Sequence, residues 1–110
     1  MIFDTHAHYD DEAFDGDRPE LLGRLKEAGV GAVMNVAANL GSCRSTLKLA
    51  EAYDWIYGAM GVHPSETGEL DQEGLQWIKE QCGRRKIKAV GEIGLDYYWE
   101  EPAHDIQKKW

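Results

Sequence analysis

The sequence has little cysteine, no long apolar run and no surplus of positive charge. Cys43 and Cys82 are its two cysteines and lack C-x-x-C spacing, which excludes a disulfide framework and predicts two reduced core thiols. No apolar run reaches the roughly 18 residues of a membrane span, and the start lacks the basic and apolar regions of a secretory signal. We therefore expect no membrane partner and a cytoplasmic location.

The charge balance limits the classes of partner. The sequence has 12 Lys and Arg against 20 Asp and Glu, a formal net charge of -8. A protein that held nucleic acid mainly by neutralising phosphates would carry a basic surplus. An acidic protein can still act on phosphate esters when divalent metal ions supply the positive charge. The composition therefore disfavours a protein that binds nucleic acid through its own positive charge. It is compatible with a metal-dependent enzyme.

Apolar residues alternate between strand and helix spacing along the chain. Strands are predicted at about 2–5, 31–37, 55–62 and 87–95, and helices within 15–30, 40–54 and 71–85, with Ser42 as the N-cap of the second helix. This order predicts an α/β fold of parallel βα units, in a single domain over residues 1–110.

The last residues predict that the repeat continues. Pro102 is predicted in the first turn of a helix that stops after about two turns, at Trp110. Four βα units make half of a barrel, and a complete (β/α)8 barrel needs about 250 residues. We interpret the chain as the N-terminal half of a TIM-type (β/α)8 barrel, and hence as a piece of a longer protein. A short doubly wound sheet is the alternative.

The first predicted strand carries two histidines one residue apart, in MIFDTHAHYD. Because side chains alternate across a strand, Asp4, His6 and His8 are expected on one face. Three polar side chains that faced a packed core would carry a large desolvation cost, whereas a cavity with a cation would stabilise them. An H-x-H pair is also common by chance as a hydrogen-bonded surface feature, so both interpretations stay open.

Further polar residues are predicted at the carboxyl ends of the strands, where parallel α/β folds place their functional residues. They are Asn35, Asn39, His63, Glu92 and Asp96. His63 could equally be a turn residue fixed by Pro64. Glu92 is predicted inside an apolar strand, where its charge needs compensation, which a metal ion would provide.

These residue types favour metal-assisted hydrolysis. Imidazoles and carboxylates suit Zn²⁺, Mn²⁺ or related ions, and two histidines at i and i+2 on a strand can bind one ion from the same side. Two ions about 3.5 to 4 Å apart can activate water and hold a phosphodiester, with Glu92 as the bridge. Nearby, Tyr97, Tyr98 and Trp99 are predicted to be packing residues or a substrate wall, and His104 a solvated residue.

Three segments, FDTHAHYD, GVHP and GEIGLDYY, resemble the TatD family of metal-dependent deoxyribonucleases, in the amidohydrolase superfamily of βα barrels. The motifs follow the family's order and spacing across all 110 residues. The resemblance implies that His6 and His8 bind one metal and that Glu92 bridges two divalent ions (Zn, Mn or Mg). It also implies that His63 and Asp96 bind the substrate, which would be DNA or another phosphate ester.

The sequence departs from the family pattern in two ways. Ser65 replaces the last histidine of a G-x-H-P-H motif that many members carry. Relatives also supply two further histidines and an aspartate from later strands, and the aspartate is the partner of the attacking water. The general base would therefore lie beyond residue 110, and we expect this chain alone to have little or no hydrolytic activity.

Three other interpretations remain open at this point. The same set of metal-binding residues could serve an amide, lactone or phosphotriester hydrolase of the amidohydrolase superfamily. Alternatively, the chain could be a non-catalytic half barrel that self-associates through its open sheet edges. A small flavodoxin-like binding domain is disfavoured, because no glycine-rich phosphate loop follows the first strand.

Overall fold

The computed structural model describes residues 1–110 and contains four strands that alternate with four helices. The strands are β1 Ile2–Ala7, β2 Val30–Val36, β3 Ile56–Met60 and β4 Ile87–Val90, and the helices are α1 Arg18–Glu27, α2 Leu40–Ala52, α3 Gln72–Gln81 and α4 His104–Lys109. Short 3₁₀ turns occupy Glu12–Phe14 and Pro64–Glu69. None of the helices is both long and apolar enough to cross a membrane.

The four strands form one parallel sheet in the order β1-β2-β3-β4. Each neighbouring pair is therefore connected through a helix on the face of the sheet, as parallel pairing requires. The predicted α/β fold of parallel βα units is confirmed. Because the strand order follows the chain order, β1 and β4 are the two edges of the sheet.

Two apolar clusters lie between the sheet and its helices. One contains Ala7, Leu22, Val30, Val33, Leu49 and Ile56, and the other contains Ala37, Cys43, Met60, Val62, Ile78 and Ile87. Both cysteines are free thiols, as predicted, although Cys82 is only half-buried. Burial raises the pKa of the Cys43 thiol, so this side chain acts as a small apolar core residue.

Apolar side chains at the two edges of the sheet remain exposed. More than half of the residue surface is exposed at Ile2, Phe3, Val90, Ile93 and Leu95, among others. They lie on β1, at the end of β4 or in the segment that follows β4. Exposed apolar residues at the edges of a sheet offer surfaces that another layer of protein can cover.

The fourth strand ends at Val90, so the predicted strand over 87–95 was too long. Glu92 lies in the segment after the strand and not inside it. Beyond Val90 the Gly91 amide donates to the Met60 carbonyl at 2.9 Å, and the Glu92 amide donates to the Ala37 carbonyl at 2.8 Å. The backbone thus crosses the end of β3 and reaches the end of β2, which ends the regular pairing.

Two predicted helix starts were also wrong. The N-cap of α2 is Asn39, whereas Ser42 is the third helical residue. The Asn39 side chain accepts from the Ser42 amide and the Ser42 hydroxyl accepts from the Asn39 amide, so the two residues form a reciprocal capping box. Helix α4 begins at His104, and Pro102 precedes it rather than forming its first turn.

Asn35 is a buried structural residue and does not face the rim of the sheet. Its Oδ1 accepts from the Tyr9 amide at 2.7 Å, and its Nδ2 donates at 2.8 Å to Asp10 Oδ1 and to Thr46 Oγ1. The side chain therefore joins β2, helix α2 and the segment that follows β1. A buried side chain that makes three hydrogen bonds fixes the path of the chain directly after His8.

We predict that Asn35→Ala lowers the free energy of unfolding by about 2 to 4 kcal/mol, because it leaves the Tyr9 amide without its buried acceptor. Thr46→Val keeps the shape of Thr46 and removes one of the three bonds, so it should cost about 1 kcal/mol. Urea unfolding of both variants measures the difference. If Asn35→Ala and the parent had the same free energy of unfolding, the hydrogen bonds of Asn35 would contribute nothing to stability.

Candidate metal centre

His6, His8 and Glu92 come together at the carboxyl end of the sheet. Their potential ligand atoms all lie within 4.8 Å of one another. His6 lies in β1, His8 directly follows it, and Glu92 follows β4. Because β1 and β4 are opposite edges of the sheet, this contact requires a sheet that curves as a barrel wall does. The structure therefore brings together the three residues that the sequence analysis placed at a metal.

The spacing of these atoms fits the ligands of one ion. His6 Nε2 and Glu92 Oε1 are 3.2 Å apart. Two ligands placed about 2.1 Å from a tetrahedral zinc ion lie roughly 3.4 Å from each other. The His6 and His8 rings meet edge to face with centroids 5.1 Å apart. Without an ion, the contact between His6 and Glu92 is partly exposed and would contribute little to holding the three side chains together.

The orientation of His8 is fixed by the backbone of β2. Its Nδ1 lies 2.8 Å from the Val36 carbonyl oxygen, which can only accept a hydrogen bond, so Nδ1 carries the proton. In the neutral ring the lone pair then resides on Nε2. Histidines that bind metals commonly donate their other ring N–H to a carbonyl or carboxylate in this way. His8 is therefore oriented for ligation through Nε2.

Three consecutive carbonyls at the end of β2 position the candidate site residues. The Val36 carbonyl accepts from the His8 ring, the Ala37 carbonyl accepts from the Glu92 amide, and the Ala38 carbonyl accepts from the His63 amide at 2.7 Å. These bonds join segments after β1, β4 and β3 to the same short stretch. The end of β2 is thus the common support of all three site segments, although it supplies none of the ligands.

Gly61 makes room for the segment that carries Glu92. A Cβ atom at Gly61 would lie 2.6 Å from the Glu92 carbonyl oxygen and 2.6 Å from the Gly91 carbonyl carbon. Such distances are far inside van der Waals contact, and both partners are backbone atoms that cannot rotate away. Only glycine therefore permits the close approach that brings Glu92 to the histidines.

Asp4 was predicted on the same strand face as His6 and His8. In the structure its carboxylate is hydrogen-bonded by Tyr9 and does not join the cluster. The Tyr9 hydroxyl donates to Asp4 Oδ2 at 3.2 Å, and the His6 amide donates to Asp4 Oδ1 at 3.3 Å. Burial and the neighbouring Asp4 carboxylate raise the pKa of the Tyr9 hydroxyl, which stays a neutral donor. Asp4 lies outside the three-residue cluster and stabilises the backbone beside His6.

His63 lies outside the cluster and begins the 3₁₀ turn Pro64–Glu69. Its Nδ1 accepts from the Ser65 amide at 3.1 Å and lies 2.7 Å from the Ser65 hydroxyl. His63 is therefore a turn residue, which the sequence analysis had kept as one of two alternatives. Since Nδ1 is bound to Ser65, Nε2 is the ring atom that can bind a ligand. Ser65 orients His63 within the turn.

Asp96 also lies outside the cluster, in the loop before α4. Its Oδ1 accepts from the Tyr98 amide at 3.1 Å, while its backbone amide and carbonyl are both bound by the side chain of Gln107. Gln107 is 2% exposed and also donates to the Pro102 carbonyl. The sequence analysis missed Gln107, because a glutamine in a short polar helix has no pattern that indicates burial.

Two imidazoles and a carboxylate at strand ends form the donor set of a metal-dependent hydrolase of the α/β class. The family model described as TatD related DNase matches residues 3–110. The chain belongs to this family. The resemblance noted from the three sequence motifs is confirmed.

Relatives and solved structures agree with this assignment. The chain is 39% identical over 109 residues to the uncharacterized metal-dependent hydrolase YabD of Bacillus subtilis (strain 168), covering 99% of this chain and 43% of that protein. It is 29% identical over 108 residues to the 3'-5' ssDNA/RNA exonuclease TatD of Pantoea ananatis, covering 97% of this chain and 42% of that protein.

The fold comparison gives the same result. The crystal structure of the TatD homolog YjjV from Escherichia coli K12 matches with a TM-score of 0.86 and 35% identity, over 98% of this chain and 42% of that one. A TatD family hydrolase from Entamoeba histolytica matches with a TM-score of 0.87 and 25% identity, also over 42% of its chain. The chain thus spans less than half the length of these relatives, and the predicted half of a TIM-type barrel is confirmed as its fold.

We predict that Gly61→Ala weakens divalent-metal binding by at least about tenfold, because displacement of the Glu92 backbone moves one ligand. Gly23→Ala in helix α1 is the matched control, since nothing lies within 4 Å of a Cβ atom there. Titration calorimetry with Zn²⁺ or Mn²⁺, on samples checked for folding by circular dichroism, measures both. A folded Gly61→Ala variant with parental affinity would contradict this role of the glycine.

Proposed function

We propose that residues 1–110 supply one half of the metal centre of a hydrolase that cleaves phosphodiester bonds of nucleic acid, with DNA as the substrate. The convergence of His6, His8 and Glu92 at one point supports the proposal most strongly. A relative named as an ssDNA/RNA exonuclease supports nucleic acid as the substrate class. This chain covers 42% of that relative, so we propose that it is part of a longer TatD-like barrel.

In this proposal His6 and His8 would hold a divalent ion through their Nε2 atoms, and the Glu92 carboxylate would serve as a ligand at the same centre. Zn²⁺, Mn²⁺ and Mg²⁺ are the candidates, with two ions in the intact site. Divalent ions would supply a nucleophile from water at neutral pH and would offset charge on the phosphate. The Val36 carbonyl holds the His8 ring in the required tautomer, which limits the cost of orienting the ligand.

His63 and Asp96 are proposed to bind the substrate rather than the metal. Their backbones follow β3 and β4, at the same end of the sheet as the metal ligands. The Nε2 atom of His63 is available to donate to a phosphate oxygen, because Ser65 holds Nδ1 as an acceptor. The Asp96 carboxylate is bound to the backbone of its own loop, so it would act by shaping this part of the substrate groove.

The general base is proposed to lie outside residues 1–110. The carboxylate in the cluster, Glu92, is already placed against His6 as a ligand. A base that accepts a proton from the attacking water needs its own carboxylate or imidazole within hydrogen-bond reach. His63 and Asp96 lie outside the cluster, and the His63 ring is oriented by Ser65. This chain would therefore bind metal without completing catalysis.

A second candidate is a non-catalytic half barrel that self-associates. The observation that favours it is the exposed apolar surface at both edges of the sheet, at Ile2 and Phe3 on one side and at Val90, Ile93 and Leu95 on the other. A second copy could cover these edges. Light scattering over a range of concentrations distinguishes a monomer from such a dimer.

We predict that the 110-residue chain, after dialysis, retains about one divalent transition-metal ion, whereas His6→Ala and Glu92→Ala lose it. Glu27→Ala at the exposed end of α1 is the matched control and should keep the metal. Elemental analysis by mass spectrometry gives the content. A parent without metal, or a Glu92→Ala variant with the full content, would contradict the proposed ligand set.

We predict that the chain alone shows no hydrolysis of a labelled single-stranded DNA above the no-enzyme rate. A chimera that continues after Trp110 with the remaining part of the Bacillus subtilis relative should be active with Mn²⁺, and His8→Ala should abolish this activity. A gel assay of the labelled strand measures both. Activity in a monomeric 110-residue chain would contradict the proposal that the base lies elsewhere.

A further inference from the structure

Arg18, the first residue of α1, is bound to the segment that directly follows His8. Its Nε donates to the Tyr9 carbonyl at 2.6 Å, and its Nη2 donates to the carbonyls of Asp10 and Asp11 at 3.1 and 2.7 Å. We call these contacts of the Arg18 guanidinium with three consecutive backbone carbonyls the arginine clamp. A single side chain thus satisfies three acceptors of the same turn.

The ion pair of Arg18 is secondary to these backbone contacts. Arg18 Nη2 also donates to Asp15 Oδ1 at 2.7 Å. The Asp15 side chain is 68% exposed, whereas that of Arg18 is 22% exposed. An ion pair with so exposed a partner contributes little, because water and salt screen it. The arginine is therefore placed to bind backbone carbonyls rather than to pair with a carboxylate.

The backbone directly after His8 is hydrogen-bonded from other sides as well. The His8 carbonyl accepts from the Asp11 amide at 3.1 Å, and the Tyr9 amide donates to Asn35 Oδ1 at 2.7 Å. The arginine clamp holds the next carbonyl, that of Tyr9. Three successive polar groups of the chain after His8 therefore have fixed partners, and Arg18 supplies the last of them.

The His8 ring depends on this backbone for its own hydrogen bond. The ring atom Nδ1 reaches the Val36 carbonyl, which belongs to β2, whereas the backbone of His8 follows β1. Which ring nitrogen of a histidine carries the proton is set by the hydrogen bond that the ring makes. A shift of the backbone after His8 would break the bond to Val36, and the proton would no longer be confined to Nδ1.

We propose that Arg18 is a positioning residue of the metal centre. Its guanidinium fixes the backbone after His8, so that the ring meets the Val36 carbonyl and keeps its lone pair on Nε2, the atom proposed to bind the ion. This inference rests on the proposed function and adds a residue of a helix that acts through His8. The planar fork of an arginine can reach several carbonyls at once, which the point charge of a lysine cannot.

The first test is zinc binding by the 110-residue chain, measured by titration calorimetry. Arg18→Gln should weaken binding by about tenfold, the scale of effect seen when the support of a metal ligand is removed. Arg18→Lys keeps the charge but loses the fork, so it should weaken binding as well, and it carries the test if Arg18→Gln does not fold. Urea unfolding gives the folded fraction of each variant, which corrects the apparent affinity.

The second test reads the His8 tautomer without metal, by proton–nitrogen NMR spectra of the histidine rings at about pH 8, where imidazoles are neutral. The parent should show His8 with its proton on Nδ1, and Arg18→Gln should show a mixture of the two tautomers. His8→Ala assigns the signals. The His6 ring lies before the clamp and should be unchanged. A general loss of stability would not move the tautomer of one ring in the folded protein.

Two controls separate the carbonyl contacts from charge. Asp15→Asn removes the ion pair but keeps the Oδ1 acceptor, and it should retain the parental affinity and tautomer. Arg84→Gln removes an arginine that binds Gln81 and Glu51 far from the carboxyl end of the sheet, and it should do the same. A folded Arg18→Gln variant with the parental tautomer or the parental affinity would overturn the proposal, as would an equal loss in either control.

Failure of the proposed function would look different. If the parent bound no zinc but Arg18→Gln lost the Nδ1 tautomer of His8, the role of Arg18 would be supported and the proposed metal centre would fall. If the parent bound zinc through the expected ligands and Arg18→Gln kept both tautomer and affinity, the arginine clamp would be overturned and the metal centre would stand. The two measurements therefore give independent answers.

Discussion

The three backbone carbonyls at the end of β2 are the contacts on which the site geometry depends. They hold the His8 ring, the Glu92 amide and the His63 amide. A strand that runs through the sheet beside both β1 and β3 is among the least mobile parts of such a fold, because its ladder bonds are made on both sides. The proposed ligands come from the ends of other strands, and bonds to the carbonyls at the end of β2 fix their positions relative to one another.

Two further features fix the segments around the site. Asn35 joins β2 to helix α2 and to the segment after β1 through three buried hydrogen bonds. Gly61, which directly follows β3, lets the Gly91–Glu92 segment approach to a distance that no residue with a Cβ atom allows. Close packing and buried polar bonds therefore act together, and the three proposed metal ligands need no strong attraction to one another to stay in place.

The order of strands and helices and the candidate histidines could be predicted from the sequence, for physical reasons. The alternation of apolar runs gave the order of strands and helices, because burial against a sheet or a helix imposes different spacings. The histidines were candidates because a row of three polar residues on one strand face is costly without a function. That pattern left a surface role open, and the resemblance to the TatD family supplied the expectation that they bind metal.

The parts that could not be predicted depend on contacts between distant segments. The end of β4 at Val90 follows from bonds that Gly91 and Glu92 make with Met60 and Ala37, and no local pattern encodes them. Gln107 is polar and lies in a short helix, yet it is buried because it closes the loop before α4. Asn35 was placed at the rim because a strand-end asparagine resembles a site residue, whereas its side chain faces α2.

The most direct measurement of the central claim is anomalous X-ray diffraction from crystals of the chain grown with Zn²⁺. We predict one strong peak at about 2.0 to 2.2 Å from His6 Nε2, His8 Nε2 and a Glu92 carboxylate oxygen, with the His8 Nδ1 bond to Val36 intact. A zinc peak elsewhere on the surface, with the three side chains unligated, would contradict the account.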